Sequence, residues 1–322
     1  MKKEDLIVAR LCADLRPIEA DESLFVAANF IGRSEAIDFI DFHIIDRISG
    51  LLLQYGSQAV MQLLRERAER IKGKLEEIDT CLFERVRSAI AAGMQAGSSF
   101  DGAAGAPPGS SFEGMIRGLV GAGAEHRQDE MGYDQLDAFV NGLFSDQPLP
   151  AETKTLLPGM VSFHKTPVRV VFELVNLVEM GNEDLFFDIG SGLGQVVLLV
   201  NLISGARATG IEYEPAYCAY ASAMASRLRL ADVEFINADA READYSKGTV
   251  FFLYTPFEGG MLRDMLRLLQ AASRDRVVRI LTYGPCSALV AAENWLYCVN
   301  GIPADPYTLC LFETGERTVG VR

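Results

Sequence analysis

No run in this 322-residue chain approaches the ~18 uninterrupted apolar residues of a membrane-spanning helix, so no membrane association is expected. CxxC pairs and metal-finger spacings are missing too. The six cysteines, at 12, 81, 218, 286, 298 and 310, are scattered, which points to reduced thiols and a cytoplasmic protein. The opening Met1-Lys2-Lys3-Glu4-Asp5 runs into an amphipathic segment and not into a signal-peptide core. Basic charge is also scarce. Residues 1–150 carry 15 Lys and Arg against 24 Asp and Glu, residues 151–322 carry 15 against 20, and the net charge is −14. With no basic tail or stripe, direct nucleic-acid binding is disfavoured, because neutralising phosphates supplies most of that affinity. A neutral or basic partner is easier to accommodate. The chain is 49% apolar, enough for a sizeable core, and its length suggests about two domains.

Residues 6–96 read as helical. Leu6, Leu11 and Leu15 precede a break expected at Arg16-Pro17. Asp21-Glu22-Ser23 offers an N-cap to a helix over Leu24–Ile31, and Ser34 one to Ile37–Leu53. Val60, Leu64, Ala68, Ile71, Leu75, Ile78, Leu82 and Val86 then recur every three or four residues. They form one seam on a long helix, or on two helices broken near Gly73. Such a seam is buried inside a helical bundle or joins two copies of the chain as a homodimer. Residues 97–114 are rich in Gly, Ser, Ala and Pro and read as a flexible linker. Ile116–Ala124 is a small apolar patch, Glu125–Glu130 a polar run, and Tyr133–Phe144 helical again. With Asp146-Gln-Pro-Leu-Pro150 as punctuation, the boundary is placed between about 145 and 160. Residues 1–150 then form an N-terminal all-α domain and residues 151–322 a second domain.

From Thr166 onward helix and strand alternate. Pro167 opens a helix to about Glu179. Strands are expected at Leu185–Ile189, Thr209–Tyr213, Val233–Asn237, Thr249–Tyr254 and Val277–Tyr283, with Leu296–Asn300 and Tyr307–Glu313 closing the sheet. Helices fall after the glycine turn to about Ile203, and at Pro215–Leu228, Met261–Ala272 and Ser287–Trp295. The implied architecture is α/β, a mostly parallel seven-stranded Rossmann-like sheet with helices on both faces. Ligands of such sheets bind at the carboxyl ends of the strands.

The organising stretch is Asp184–Val200, DLFFDIGSGLGQVVLLV. A strand leads to Asp188, and Gly190, Gly192 and Gly194 form a tight turn whose bare N–H groups are expected to face a ligand. The dinucleotide fingerprint G-x-G-x-x-G fails because Gln195 stands where its last glycine belongs, and no Gly-Lys-Ser/Thr follows for a Walker loop. Asp188 would oppose a pyrophosphate but suits an ammonium and a sulfonium. Glu212, 18 residues after Gly194 in GIEYE, can accept from both hydroxyls of a ribose. Asp239 in INADARE can accept from an adenine amino group while Ala240 offers its N–H. Three acids at successive strand ends and the glycine turn together specify S-adenosylmethionine.

Residues 160–315 resemble a class I S-adenosylmethionine-dependent methyltransferase. FHKTPVRVVFELVNLV followed by DLFFDIGSGLGQVVLLV is similar to the non-SET histone lysine methyltransferases of the disruptor-of-telomeric-silencing type. That family carries a Tyr-Gly-Glu-Thr loop where this chain has Phe163-His164-Lys165-Thr166. The resemblance implies that Thr166 contacts the methionine end and that Asp188, Gly190 and Gln195, with Ser191, Gly192 and Gly194 of the same turn, cradle it. Glu212 and Tyr213 would meet the ribose, and Asp239 and Ala240 the adenine. The family's Asn-Asn pair after strand four is replaced by Tyr254-Thr255-Pro256-Phe257, and its basic DNA-engaging segment has no counterpart.

A methyl acceptor, a protein lysine or a small molecule, is expected to enter past Tyr254 and Phe257, with Tyr254 also reaching the cofactor and Tyr283 a further aromatic candidate. His164 is the candidate base for a hydroxyl or carboxyl acceptor. The unorthodox YTPF segment also admits a non-catalytic scaffold that binds the cofactor. His43 with Asp41 and Asp46 could suggest a metal, but a helical segment without a second histidine reads as packing or surface, so no metal is expected.

Overall fold

The computed structural model describes residues 3–56, 59–93, 111–120, 132–145, 147–301 and 305–315. Residues 97–110 of the expected linker, residues 121–130 and Asp146 lie outside them. The chain divides into two compact units, one mainly Met1–Ala89 and Gly114–Leu143, the other mainly Phe144–Arg322. The division at Leu143–Phe144 compares with the boundary expected at 145–160.

The first unit is helical. Helix α1 spans Lys3–Ala20 and runs through Pro17 instead of breaking there. Leu11 and Leu15 before the proline are 1% and 0% exposed, and Ile18 after it packs on the same core. That burial outweighs the lost N–H and ring clash, a penalty of about 3 kcal/mol. The helix expected over Leu24–Ile31 is replaced by a 3-10 turn, Glu22–Phe25, and a bend, before α2 (Phe30–Asp38) starts on its Asn29 cap. Ser34 is therefore inside α2 and caps nothing. The cause is tertiary. Arg33, 0% exposed, donates to the carbonyls of Leu24 (3.3 Å), Val26 and Ala27 (2.8 Å), and pairs with Asp79 at 2.7 Å. Those carbonyls face a guanidinium and not a helical ladder.

A π-helical segment, Phe39–Ile45, joins α2 to α3 (Asp46–Tyr55), and α4 (Ala59–Ala91) passes Gly73 without interruption. Of the stripe on α4, Leu64, Ala68, Ile71, Leu75, Leu82 and Val86 are buried, whereas Val60 is exposed. Leu64 to Leu75 pack with Leu11, Leu15, Ile40, Ile44 and Ile48, so this seam is used inside the chain's own bundle. Helix α5 (Phe112–Val120) takes in the last residues of the expected linker. On α6 (Gln135–Leu143), Phe139 sets its ring 5.1 Å from Phe30 and 5.4 Å from Phe83. His43 stacks on Phe39 and Asp41 pairs with Lys72. Among the described residues no group of three or more His, Cys, Asp or Glu could hold a metal ion, and no helix is long and apolar enough to cross a membrane.

The second unit is the expected α/β layer structure. Its elements are α7 (Val168–Leu177), β1 (Leu185–Ile189), α8 (Gln195–Ser204), β2 (Arg207–Glu212), α9 (Pro215–Arg227), β3 (Val233–Asn237) and β4 (Val250–Leu253). Then come α10 (Gly259–Ala272), β5 (Arg279–Thr282), α11 (Cys286–Val290), β6 (Leu296–Cys298) and β7 (Cys310–Thr314). The seven strands run in the order β3-β2-β1-β4-β5-β7-β6. All neighbours pair in parallel except β7, which is antiparallel to β5 and β6. Several elements are shorter than expected: β4 stops at Leu253, so Tyr254 falls in the loop, and β6 ends at Cys298 while β7 starts only at Cys310 and runs to Thr314. The strand order reverses between β1 and β4, where the carboxyl ends open a crevice. All six cysteines are free thiols.

Removing Asp79 would leave the Arg33 charge buried and unpaired, a loss of about 3–5 kcal/mol for pairs of this kind. Asp79→Ala is therefore expected to lower the urea midpoint of the first unit's helical signal markedly.

Candidate active site

The turn between β1 and α8 is left-handed three times: Gly190, Gly192 and Gly194 have φ of +85°, +53° and +81°. Its N–H groups are mostly spent within the protein. Those of Gly190 and Ser191 donate to the Ile211 carbonyl at 2.9 and 3.0 Å, and that of Gly192 to the Glu212 carboxylate at 2.7 Å. The expectation of bare turn N–H groups is corrected accordingly. The absent Cβ atoms make room for other side chains: a Cβ on Gly190 would lie 2.8 Å from Pro256, one on Gly192 2.1 Å from the Phe163 ring, and one on Gly194 2.5 Å from Phe235. Gly192 and Gly194 accordingly do not line the crevice, whereas Asp188, Gly190, Ser191 and Gln195 do.

What the turn does present is unsatisfied polar side chains. Ser191 Oγ and Gln195 Nε2 are buried and have no hydrogen-bond partner among the described residues. Asp188 is 4% exposed, and burial together with the neighbouring Glu212 charge pushes its carboxyl up to about 8. Burial also raises Glu212, opposed by hydrogen bonds from backbone N–H groups. Its oxygens accept from Gly192 N and Glu214 N, both at 2.7 Å, with the Tyr213 backbone as a third donor, which leaves part of the carboxylate's roughly four lone-pair sites open. This donor and acceptor set fits a ligand with a cationic end at Asp188 and paired hydroxyls at Glu212. Orphaned buried groups of this kind need a partner, at about 1–3 kcal/mol each.

The walls come from three loops. Thr166 is buried and lines the crevice just ahead of α7. His164 also lines it from an exposed position, and its ring bonds the Ser162 carbonyl through Nδ1 at 2.9 Å. A carbonyl only accepts, so Nδ1 carries the proton and Nε2 is left open. Past β4, Thr255 has φ of +41°, and its hydroxyl donates to the Tyr283 carbonyl while accepting from Cys286 N. This bend brings Tyr254 and Phe257 onto the crevice wall. Tyr283 is 2% exposed and does not line the crevice; it stands behind Tyr254, ring centroids 5.0 Å apart, and its hydroxyl accepts from Arg169.

Tyr213 and Ala240 also line the crevice. Asp239 does not: its carboxylate accepts from the backbone and guanidinium of Arg241 and caps the 3-10 turn Ala240–Glu242. That pairing holds its carboxyl below the usual range. The adenine contact expected from the Asp239 carboxylate is thus taken up by Arg241.

Residues 163–251, from the Phe163 loop to β4, match the family model described as DOT1, histone methylation protein DOT1. This unit is DOT1-like: a class I, S-adenosylmethionine-dependent methyltransferase. Solved structures are similar over about half of the chain. An RNA methyltransferase from Salinibacter ruber, solved with S-adenosyl-L-homocysteine, is 25% identical over 47% of this chain and 92% of its own, at TM-score 0.36. The putative methyltransferase yhhF from Escherichia coli is 18% identical over 49% and 90%, at TM-score 0.39. A precorrin-6y C5,15-methyltransferase from Geobacter metallireducens is 16% identical over 49% and 94%, at TM-score 0.37. No curated protein matches by sequence.

The DOT1-like unit also uses residues that the sequence did not single out. Glu214, Lys154, Tyr217, Pro285 and Tyr307 all line the crevice. Glu214 carried one signal, an acid directly before Pro215 at a helix start. Lys154 sits in a polar stretch indistinguishable from a linker. Two outcomes follow from this geometry. In the ligand-free protein Asp188 keeps its proton to about pH 8 but would lose it near 3.8 when unfolded, so stability should fall as pH rises between these values. Asp188→Asn should flatten that slope in thermal melts. Gly194→Ala combines a left-handed backbone with a clash on Phe235 and should cost about 2–5 kcal/mol in chemical denaturation.

Proposed function

We propose that the second unit transfers the methyl group of S-adenosylmethionine to the amine of a protein lysine. The observation that carries the cofactor reading is the set at the turn: Asp188 buried with its carboxyl pushed up, and Ser191 Oγ and Gln195 Nε2 buried with no hydrogen-bond partner among the described residues. When bound, the cofactor supplies a methyl group already activated by its sulfonium. Asp188 and Gln195 would hold the methionine end beside Thr166, and Glu212 the ribose hydroxyls. Tyr213 and Ala240 would flank the adenosine.

The acceptor side supports an amine. Glu152, Glu212, Glu214 and Glu258 line the crevice against Lys154 and Lys165, so the balance of charge favours a cation over an anion. Further in, Tyr254, Phe257, Pro256 and Met160 form a wall with few charges. There the protonated amine is penalised and the neutral nucleophile favoured. His164 Nε2 is open to take the proton that the amine gives up, and Tyr254 orients the nitrogen behind the methyl group.

The test is incubation with methyl-labelled cofactor and three acceptor pools: lysine peptides, lysine-blocked peptides and small amines. Label is expected in lysine peptides alone, and to fall about tenfold or more in Tyr254→Ala while S-adenosylhomocysteine affinity holds within a few fold. Transfer confined to small molecules would replace the lysine reading. Binding without any transfer would favour a scaffold. Cofactor binding should be lost in both Asp188→Ala and Glu212→Ala. A cationic ligand favours ionised Asp188, so wild-type affinity should rise as pH approaches about 8, and Asp188→Asn should lose that dependence in calorimetry.

A further inference from the structure

Residues 152–165, in the N-terminal part of the second unit, line the crevice as a strap and are tied at their two ends by different means. On the acceptor side the tie is backbone: Val161 N donates to the Pro256 carbonyl at 3.1 Å, Glu258 N to the Gly159 carbonyl at 2.8 Å, and Met160 bridges Phe257. On the side of β2 the ties are made by side chains, with the Glu214 carboxylate at their centre. Glu214, 5% exposed, accepts from Thr153 N at 2.8 Å, Thr153 Oγ at 2.6 Å and Lys154 N at 2.7 Å, besides capping α9 through Ala216 N at 3.0 Å. Lys154 then reaches over the Tyr213 ring, 4.1 Å from its centroid, and donates to the Tyr213 carbonyl at 3.0 Å. Phe163 lies against Gly192 and 5.4 Å from the Tyr217 ring, whose hydroxyl donates to Glu152 at 2.9 Å.

We propose that Glu214 is a positioning residue that clasps this strap over the adenosine half of the cofactor site, and that the cofactor enters and leaves by release of the Glu214 end while the acceptor wall stays in place. The proposal rests on the cofactor reading given above. The strap places Lys154, Phe163 and Glu152 directly above Tyr213, Glu212 and the glycine turn, so a nucleoside held by Glu212 is covered by it. The two ties differ in what can break them. The Pro256–Glu258 tie is built from backbone groups continuous with the wall that carries Tyr254. The Glu214 tie runs from a buried side chain to an exposed stretch of the strap, and it gathers three of the strap's donors on one anion. Those hydrogen bonds hold the carboxyl down to about 2 against the opposing effect of burial, so the clasp stays charged throughout the neutral range.

The experiment measures release of bound S-adenosylhomocysteine by stopped-flow chase, with amide hydrogen exchange at Thr153 and Lys154. It compares the full chain with Glu214→Ala and Thr153→Val. Thr153→Val leaves the α9 cap intact and keeps the test valid if Glu214→Ala fails to fold. Release should quicken about tenfold or more in Glu214→Ala and several-fold in Thr153→Val, the scale of lost charge-assisted hydrogen bonds. The acceptor KM should stay within a few fold, and bound ligand should slow exchange at the two amides in the parent protein. Equal release rates in the parent protein and both folded variants would overturn the clasp. Absence of S-adenosylhomocysteine binding in the parent protein would overturn the cofactor reading, and the clasp with it.

Discussion

The Glu212 carboxylate at the end of β2 is the constraint on which the crevice depends. It accepts from Gly192 N in the glycine turn and from Glu214 N at the start of α9, so one half-buried carboxylate fixes the turn, the strand end and the next helix together. Its negative charge, added to burial, is why Asp188 holds its proton so high. A site built this way is short of positive charge in the absence of a ligand. A cation between the two acids relieves the repulsion, and no rearrangement of the backbone is needed because the turn is already locked to Ile211 and Glu212.

Strain and packing set the other wall. A left-handed conformation at a non-glycine residue costs about 1–2 kcal/mol, and Thr255 adopts one. It is held by a hydroxyl that bridges the Tyr283 carbonyl and Cys286 N, and by the close approach of Gly284, where a Cβ would come 2.5 Å from Thr255 Oγ. The result is an aromatic pair in which Tyr254 faces the crevice and Tyr283 supports it from behind. Backbone strain kept at such a position marks a wall whose shape matters more than its stability.

Much of the second unit was legible because its signals are local. Apolar runs of strand length, a glycine turn and helix-length spacers recover β1, α8, β2, α9 and β3 closely. Asp188, Ser191, Gln195, Glu212 and Thr166 fall on the crevice because each sits at a fixed offset from a strand end or helix start. The helical bundle was legible in its stripe on α4 for the same reason. Three features were not. Pro17 stays helical because residues far along the chain bury its neighbours, and the Val26–Asn29 bend exists because Arg33 and Asp79, 46 residues apart, meet in the core. Asp239 stands at the right strand end, yet its carboxylate turns to Arg241, only two residues on.

The sequence by itself determined the order of strands and helices, the chemical character of the turn and the acidic character of the crevice, since these depend on residue type and short spacing. Only the tertiary structure decided which groups remain available to a ligand. The glycine turn read as an array of free N–H groups, but folding against β2 consumes them and leaves Asp188, Ser191 and Gln195 instead. Residues 152–160 fell within the stretch expected to hold the domain boundary, but Glu214, 61 residues beyond Thr153, makes the first of them part of a wall. Availability depends on which distant donors and acceptors meet, and short-range spacing does not encode that.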